Sequence, residues 1–151
     1  MPKPKLGKSR QGLPMHYSVG AIIEKDSKYL LIDRAKFPLG FACVAGHIDE
    51  GEDAETALKR EVAEESGLIV RDFQLIAEEE LDFNTCRRGV TVHYFYVFRC
   101  QAEGQIDRNV AETKSIGWYN IDEIKKLPLE PVWKYWFGKL GIIEGKIWAS
   151  K

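Results

Sequence analysis

Hydrophobic and polar positions along the first third of the chain form short blocks that are typical of β-strands. The blocks HYSVGAIIEK and YLLIDR are rich in β-branched and apolar residues, and residues 26–28 separate them, so they predict a β-hairpin over residues 16–34. Residues 35–40 contain Pro38 and are interpreted as a loop. The short apolar stretch FACVAG, residues 41–46, is predicted to be extended.

Helical and strand patterns alternate in the rest of the chain. Residues 52–66 are rich in Ala, Glu, Leu and Lys, lack Pro and Gly, and are followed by Gly67, so they predict a helix. Strands are predicted over residues 73–83, 89–100 and 115–120, and helices over residues 121–127 and 131–140. The strand over 89–100 is apolar on both faces, which places it inside a sheet covered on both sides. The fold class is therefore α/β, with helices on the faces of a sheet.

Length, charge and composition narrow the class of protein. The 151 residues are 44% hydrophobic and carry a net charge of -1, which fits one globular domain and disfavours nucleic-acid and membrane partners. Residues 1–15 begin with a basic, proline-containing segment and are predicted to be a flexible basic tail before a single domain over residues 16–151. Without an apolar signal segment or a membrane-length apolar run, we predict a cytoplasmic protein.

The cysteines argue against a zinc site. Cys43, Cys86 and Cys100 are widely spaced, and the sequence contains no CxxC pair. They are interpreted as small buried hydrophobic residues in a reducing compartment.

Three glutamates crowd little more than one turn near the end of the predicted helix, in REVAEESG at residues 60–67. Like charges at this spacing repel each other. A helical wheel places Glu61 and Glu65 on the side that packs against the sheet, where carboxylates are costly unless a cation meets them. Arg60 is spaced to pair with Glu64, and Mg²⁺ prefers carboxylate oxygens, so we predict a divalent-cation site here.

The stretch GHIDEGEDAETALKREVAEESGL, residues 46–68, matches the pattern Gx5Ex7REUxEExGU, with U apolar, at every fixed position. It resembles the Nudix box, and the order of the flanking elements is similar to that family over about residues 16–140. The resemblance implies an α/β/α sandwich with a mixed β-sheet between helices. It also implies Mg²⁺-dependent attack of water on the diphosphate of a nucleoside diphosphate linked to another moiety, such as a nucleotide sugar, an ADP-ribose-like compound or a modified nucleoside triphosphate.

The resemblance further implies roles for individual residues. The metal, Mg²⁺ with Mn²⁺ as a substitute, is expected at Gly46, Glu61, Glu64 and Glu65. Glu52 and Arg60 are expected to orient these glutamates. The general base is left open among Glu64, Glu65 and Glu112. Glu112 resembles a distal glutamate of some family members and is equally well interpreted as an exposed loop acid.

Selection of the substrate depends on residues around and beyond the motif. The chain has Val44-Ala45-Gly46 where many family members have Pro-Gly-Gly, so the loop is expected to take a different backbone path. His47 is interpreted as a structural loop residue, because Mg²⁺ prefers oxygen ligands. Candidate residues for phosphate contact or base stacking are Arg34, Lys36, Phe83, Arg87 and Arg88. Solvent-exposed charges and core packing are the alternative interpretation of these five.

Other functions compete with the hydrolase. A non-catalytic nucleotide-binding or regulatory module is disfavoured, because such modules usually lose box glutamates and this chain keeps all of them. An RNA-end-processing or isomerase variant has only the basic segment in its favour. A homodimer is left open, since Trp133, Trp136 and Trp148 could form an interface, although packing of the 131–140 helix on its own sheet is favoured.

Overall fold

The computed structural model describes residues 3–83, 85–86 and 88–143. Over these residues the chain forms eight strands and three helices. In chain order they are β1 (Leu6–Lys8), β2 (Pro14–Lys25), β3 (Lys28–Arg34), β4 (Gly40–Ala42), β5 (Val44–His47), α1 (Ala54–Ser66), β6 (Ile69–Leu81), β7 (Val92–Glu103), β8 (Thr113–Tyr119), α2 (Ile121–Ile124) and α3 (Pro131–Lys139).

The strands form a mixed sheet organised around β2. This strand pairs parallel with β7 and antiparallel with β1, β3 and β5, and the main path runs β4-β3-β2-β7-β6. Strand β8 adds to β3. The parallel pairing of β2 with β7 is possible because the long intervening chain, which includes α1, crosses over between them.

Both faces of β7 are covered, as the sequence predicts. Phe95 and Val97 belong to one buried cluster with Trp133 of α3. Phe98 belongs to a second buried cluster with Leu58 of α1. Helices therefore pack on opposite sides of a mixed sheet, which confirms the α/β/α sandwich.

The predicted β-hairpin forms only in part. Strands β2 and β3 are joined by a tight turn, but they pair only at Glu24 with Tyr29 and Lys25 with Lys28. Beyond that point β3 pairs with β8, and β2 turns to β5 and β7. The strands separate because each finds a longer partner elsewhere in the sheet, and local periodicity does not carry that information.

The amino-terminal segment corrects the prediction of a flexible tail over residues 1–15. Leu6–Lys8 pair antiparallel with the start of β2, and the Ser9 hydroxyl accepts hydrogen bonds from the backbone N–H groups of Gln11 and Leu13. The Lys5 N–H donates to the Ile48 carbonyl at 2.7 Å. The segment is held by hydrogen bonds and not by burial of apolar side chains, since Leu6 is 62% exposed. The basic composition of the segment therefore did not indicate that it is ordered.

Helix α1 has clear signals at both ends. The Asp53 side chain accepts from the Thr56 N–H at 2.8 Å, and Gly67 ends the helix in the left-handed conformation, with φ of 77°. Its buried residues include Leu58, Val62 and Glu65, as the wheel predicts. The helix begins two residues later than predicted.

Helix α3 packs on the sheet of its own chain. Trp133 and Trp136 are fully buried, which confirms the favoured interpretation of these two residues. Trp148 lies outside the described residues. In the described part of the chain, no helix has the length and apolar character needed to cross a membrane.

Candidate active site

The box glutamates border a cleft of about 540 Å³ at one edge of the sandwich. Helix α1 supplies the glutamates, and β5 runs beside it. Strands β2, β3 and β7, the loop before β7, the segment before β8 and the start of α3 also contribute to the walls. The charged and polar groups that line the cleft include Arg34, His47, Glu61, Glu64, Glu65, Arg88, Asn109, Glu112 and Glu130.

Gly46 and Glu61 meet at the base of this cleft. A Cβ built on Gly46 would lie 1.9 Å from Oε2 of Glu61 and 2.1 Å from its carboxyl carbon. No side chain fits in that space, so a glycine here is what lets the Glu61 carboxylate rest against the backbone of β5.

The three glutamates have different environments. Glu65 is only 9% exposed, and its Oε1 has no hydrogen-bond partner among the described residues, whereas the Glu64 side chain is 56% exposed. Burial, followed by the nearby charge of Glu65, raises the pKa of Glu61 to about 8. Burial also raises the pKa of Glu65 to about 7, although the Arg34 charge opposes the rise.

Arg60 connects the glutamates to the preceding loop. Its Nε donates to Glu52 Oε2 at 2.7 Å, and its Nη2 donates to Glu52 Oε1 at 2.9 Å and to the His47 carbonyl at 3.0 Å. Its Nη1 donates to Glu61 Oε2 at 3.2 Å and to Glu64 Oε1 at 3.1 Å. One guanidinium therefore fixes the positions of three carboxylates and the end of β5.

This arrangement fits a hard divalent cation. Two mostly buried carboxylates and one exposed carboxylate lie together, and a single arginine does not reach all of their oxygens. The orphaned Oε1 of Glu65 is an acceptor buried without compensation, which costs stability unless a cation or a proton meets it. All the donors are carboxylate oxygens, the ligand type that Mg²⁺ and Mn²⁺ prefer.

The predicted distal acid lies in the same cleft. Glu112 lines the cleft, and its negative charge contributes to the raised pKa of Glu65. Its carboxylate also pairs with Lys36 at 3.7 Å, in a contact with both side chains partly exposed. The fold therefore brings Glu112 into the same cleft as the box glutamates. It also brings the Lys36 ammonium group, which forms an ion pair with the Glu112 carboxylate.

The five predicted substrate-binding residues are distributed unevenly. Arg34 and Arg88 line the cleft, and Arg34 Nε donates to the Pro38 carbonyl at 2.6 Å. Lys36 is outside the lining and pairs with Glu112. Phe83 also lies outside the lining, with its ring 5.5 Å from that of Tyr135. Arg87 falls outside the described residues.

Glu130 is a cleft residue that the sequence did not identify. It is 3% exposed, and burial raises the pKa of its carboxyl to about 7, while the Arg34 charge again opposes the rise. It occupies the N-cap position of α3, but its side chain makes no capping hydrogen bond. In the sequence, an acid before Pro131 looks like an ordinary helix-start residue, so no local signal places it in the cleft.

Comparison with known proteins agrees with the geometry of the site. A family model described as the NUDIX domain matches residues 14–138, so the chain belongs to the Nudix family.

Relatives by sequence include nucleotide pyrophosphatases. The mitochondrial NAD(P)H pyrophosphatase NUDT13 of Homo sapiens is 32% identical over 104 residues, which cover 68% of this chain and 29% of that protein. The ADP-ribose pyrophosphatase of Methanocaldococcus jannaschii is 45% identical over 69 residues, 44% of this chain and 41% of the relative. The chain thus spans less than half the length of each of these two relatives.

Solved structures show the same fold. The MutT NUDIX hydrolase from Burkholderia pseudomallei superposes with a TM-score of 0.70 at 23% identity, covering 80% of this chain and 94% of that one. The NUDIX domain of Shewanella oneidensis NrtR, solved with ADP ribose, gives a TM-score of 0.62 at 20% identity, covering 85% and 83%.

Proposed function

We propose that this protein is a divalent-metal-dependent pyrophosphohydrolase that cleaves the diphosphate of a nucleoside diphosphate linked to another moiety. The observation that carries the proposal is a pair of acids at an open cleft: Glu61, whose side chain is 13% exposed and lies beside Gly46, and the buried Glu65, whose Oε1 has no partner among the described residues. A cluster of this kind is costly in the free protein, and a bound cation offsets that cost. A proton on Glu65 would also meet the orphaned oxygen, but it gives no reason for placing three glutamates together at a cleft.

The residues that would hold Mg²⁺ or Mn²⁺ are Glu61, Glu64 and Glu65, with Gly46 leaving room for the Glu61 carboxylate. The ion supplies charge neutralisation at the diphosphate and a lower pKa for bound water. Arg60 orients Glu52, Glu61 and Glu64 through the hydrogen bonds described above. Arg34 and Arg88 are the cationic side chains of the cleft that suit phosphate oxygens.

Glu65 is the favoured general base among the three candidates. Glu64 forms an ion pair with Arg60, and Glu112 forms an ion pair with Lys36. Glu65 alone of the three has a buried carboxylate oxygen without a hydrogen-bond partner in the described structure. A carboxylate with no protein partner can hold the ion through one oxygen and accept a proton from water through the other.

ADP-ribose and NAD(H) are the first substrates to test. Both carry a diphosphate between two ribose-linked groups, and relatives are named NAD(P)H pyrophosphatase, ADP-ribose pyrophosphatase and NAD-capped RNA hydrolase. The cleft has arginines close to the carboxylate cluster, which matches a substrate whose charge is concentrated at its diphosphate.

A substrate panel tests the proposal. The purified chain is incubated with ADP-ribose, NADH, nucleotide sugars, modified nucleoside triphosphates and NAD-capped RNA, each with Mg²⁺, with Mn²⁺ and with a chelator. We expect a nucleoside monophosphate from at least one diphosphate-linked compound, and loss of that product with the chelator. Nucleotide binding by calorimetry without turnover of any panel member would contradict the hydrolase and support a non-catalytic binding module.

A further inference from the structure

All three histidines of the chain meet in one cluster with a cysteine, although they are far apart in the sequence. His16 lies on β2 opposite His93 of β7, and Ser18 of β2 lies opposite His47 of β5. Positions 16 and 18 share one face of β2, so these pairings bring the three histidines to the same face of three adjacent strands. Cys86 approaches the cluster from the loop before β7.

The distances within this cluster are short. The candidate ligand atoms of His16, His47, His93 and Cys86 all lie within 4.8 Å of one another. The Cys86 sulfur is 3.8 Å from Nδ1 of His16. The His16 and His47 ring centroids are 4.8 Å apart, and the His47 and His93 centroids are 5.6 Å apart.

One member of the cluster has an unexplained buried atom. His93 is 1% exposed, and its Nδ1 has no hydrogen-bond partner in the described part of the chain. A buried polar atom left without a hydrogen-bond partner lowers the stability of the folded protein. His16 is 6% exposed, so a second imidazole is also removed from water. Burial of these side chains without a bound ion therefore lowers the stability of the folded protein.

Burial favours the neutral form of two of these imidazoles. It lowers the pKa of His93 to about 4 and also lowers the pKa of His16. Neutral imidazole keeps a nitrogen lone pair available at neutral pH, whereas imidazolium does not.

We propose that His16, His47, His93 and Cys86 form a binding site for a borderline-soft divalent transition metal, with Zn²⁺ as the reference ion, separate from the carboxylate site. Three nitrogens and one sulfur suit zinc and not Mg²⁺, which prefers oxygen. In tetrahedral zinc sites of this donor type neighbouring ligand atoms are about 3.3–3.6 Å apart. The present ligand atoms lie within 4.8 Å of one another, so binding would draw any two of them closer by at most about 1.5 Å. The proposed ligands come from three separate strands and a loop, so no CxxC pair marks the site in the sequence, and this corrects the prediction that a zinc site is absent.

The proposed metal has a structural role at the end of the active-site cleft. The His47 carbonyl accepts from Arg60 Nη2 at 3.0 Å, and His47 directly follows Gly46. On the other side, Cys86 lies two residues before Arg88, and both line the cleft. A metal held by four protein ligands would tie the Cys86 loop to β5 and fix the position of Arg88 relative to the carboxylates.

Metal content and cobalt spectroscopy test the proposal on the full chain. Protein stripped with chelator is titrated with Zn²⁺, and separately with Co²⁺, whose absorption reports both tetrahedral geometry and sulfur ligation. We expect one tight equivalent of Zn²⁺, a rise in melting temperature on binding, and a sulfur-to-cobalt charge-transfer band. Cys86→Ser, a loop substitution, is expected to remove that band and to weaken Zn²⁺ binding by at least about 100-fold, because even outer-shell changes cost 10–100-fold.

Two controls assign the result to this cluster. Cys43 and Cys100 are buried in the two cores and remain in the Cys86→Ser protein, so a lost sulfur band belongs to Cys86. Glu64→Gln, on the exposed side of the carboxylate set, is expected to leave the Zn²⁺ equivalent and the cobalt band unchanged. His16→Gln supplies a second test through a nitrogen ligand.

Three results would overturn the site. They are no stoichiometric Zn²⁺ in the stripped and reloaded protein, a cobalt spectrum without a sulfur band, and Zn²⁺ affinity that falls in Glu64→Gln but not in Cys86→Ser. None of these depends on turnover, so the metal cluster and the proposed hydrolase can fail independently.

Discussion

Gly46 of β5 and Glu61 of α1 approach so closely that a Cβ on residue 46 would stand 1.9 Å from Oε2 of Glu61. This close approach brings together the first residue of the sequence motif and a glutamate that lies 15 residues later in the chain. The glycine at the start of the motif therefore determines where a glutamate near its end can place its carboxylate.

Gly46→Ala is expected to displace the Glu61 carboxylate and to lower turnover by at least about 10-fold, since small misplacements at a reacting centre are costly. The fold should survive, because the atom that must move is the end of a flexible side chain. Gly117→Ala is the matched control, since a Cβ there would meet nothing closer than 3.6 Å. Measurement of kcat/KM and melting temperature for both variants checks this, and equal activity losses in both would contradict it.

Glu65→Gln is expected to lower turnover by about 100-fold or more, because it removes a charge that faces the cleft. Its melting temperature at pH 8 should not fall, since the pKa of Glu65 is raised to about 7 and the buried charge is unfavourable above that pH. Glu55→Gln, on the exposed face of the same helix, is the control and should retain activity. Near-normal turnover in Glu65→Gln would remove Glu65 from the reaction.

Arg60→Lys tests the guanidinium that links Glu52, Glu61 and Glu64. A lysine ammonium cannot reproduce the two-pronged contact with Glu52, so we expect the free energy of unfolding to fall by about 2 kcal/mol. We also expect a higher metal concentration for half-maximal activity, because the glutamates are no longer oriented.

The control for Arg60→Lys is Arg71→Lys. Arg71 and Glu103 form an exposed pair, with both side chains 57% exposed, and exposed pairs contribute little to stability. Chemical denaturation of the two variants measures the difference. Similar small changes in both would show that the Arg60 contacts are no more important than a surface pair.

Glu130→Gln is expected to stabilise the protein in a pH-dependent way. The pKa of Glu130 is raised from 4.5 to about 7 in the folded protein, so the folded state binds more protons than the unfolded state between these values. Stability is therefore lost as pH rises from about 4.5 to 7, and the deficit, up to about 3 kcal/mol, persists above pH 7. Glutamine has no such charge and removes the deficit.

Melting curves at pH 4 and pH 8 check this sign. We expect Glu130→Gln to raise the melting temperature at pH 8 and to leave it nearly unchanged at pH 4. Glu50→Gln, at an exposed position, should show no difference between the two. A stabilisation of Glu130→Gln that is equal at both pH values would mean that charge burial is not its cause.

The sequence by itself determined the local features of this protein. Helix periodicity placed Glu61 and Glu65 on the side of α1 that packs against the sheet, and the structure agrees. The spacing of the motif identified the family, and the doubly apolar strand was correctly placed inside the sheet. These features follow from neighbours within a few residues, where backbone geometry fixes which side chains share a face.

Only the tertiary structure decided which distant residues meet. It joined Leu6–Lys8 to β2, put Glu130 in the cleft and gathered His16, His47, His93 and Cys86 at one point. Each of these depends on strand pairing and register between segments far apart in the chain, and a shift of one residue would send a side chain to the opposite face of the sheet. The pattern of a single strand does not specify its partner, so the histidine cluster could not be predicted from the sequence. The carboxylate motif could be predicted, because its residues lie within one continuous segment.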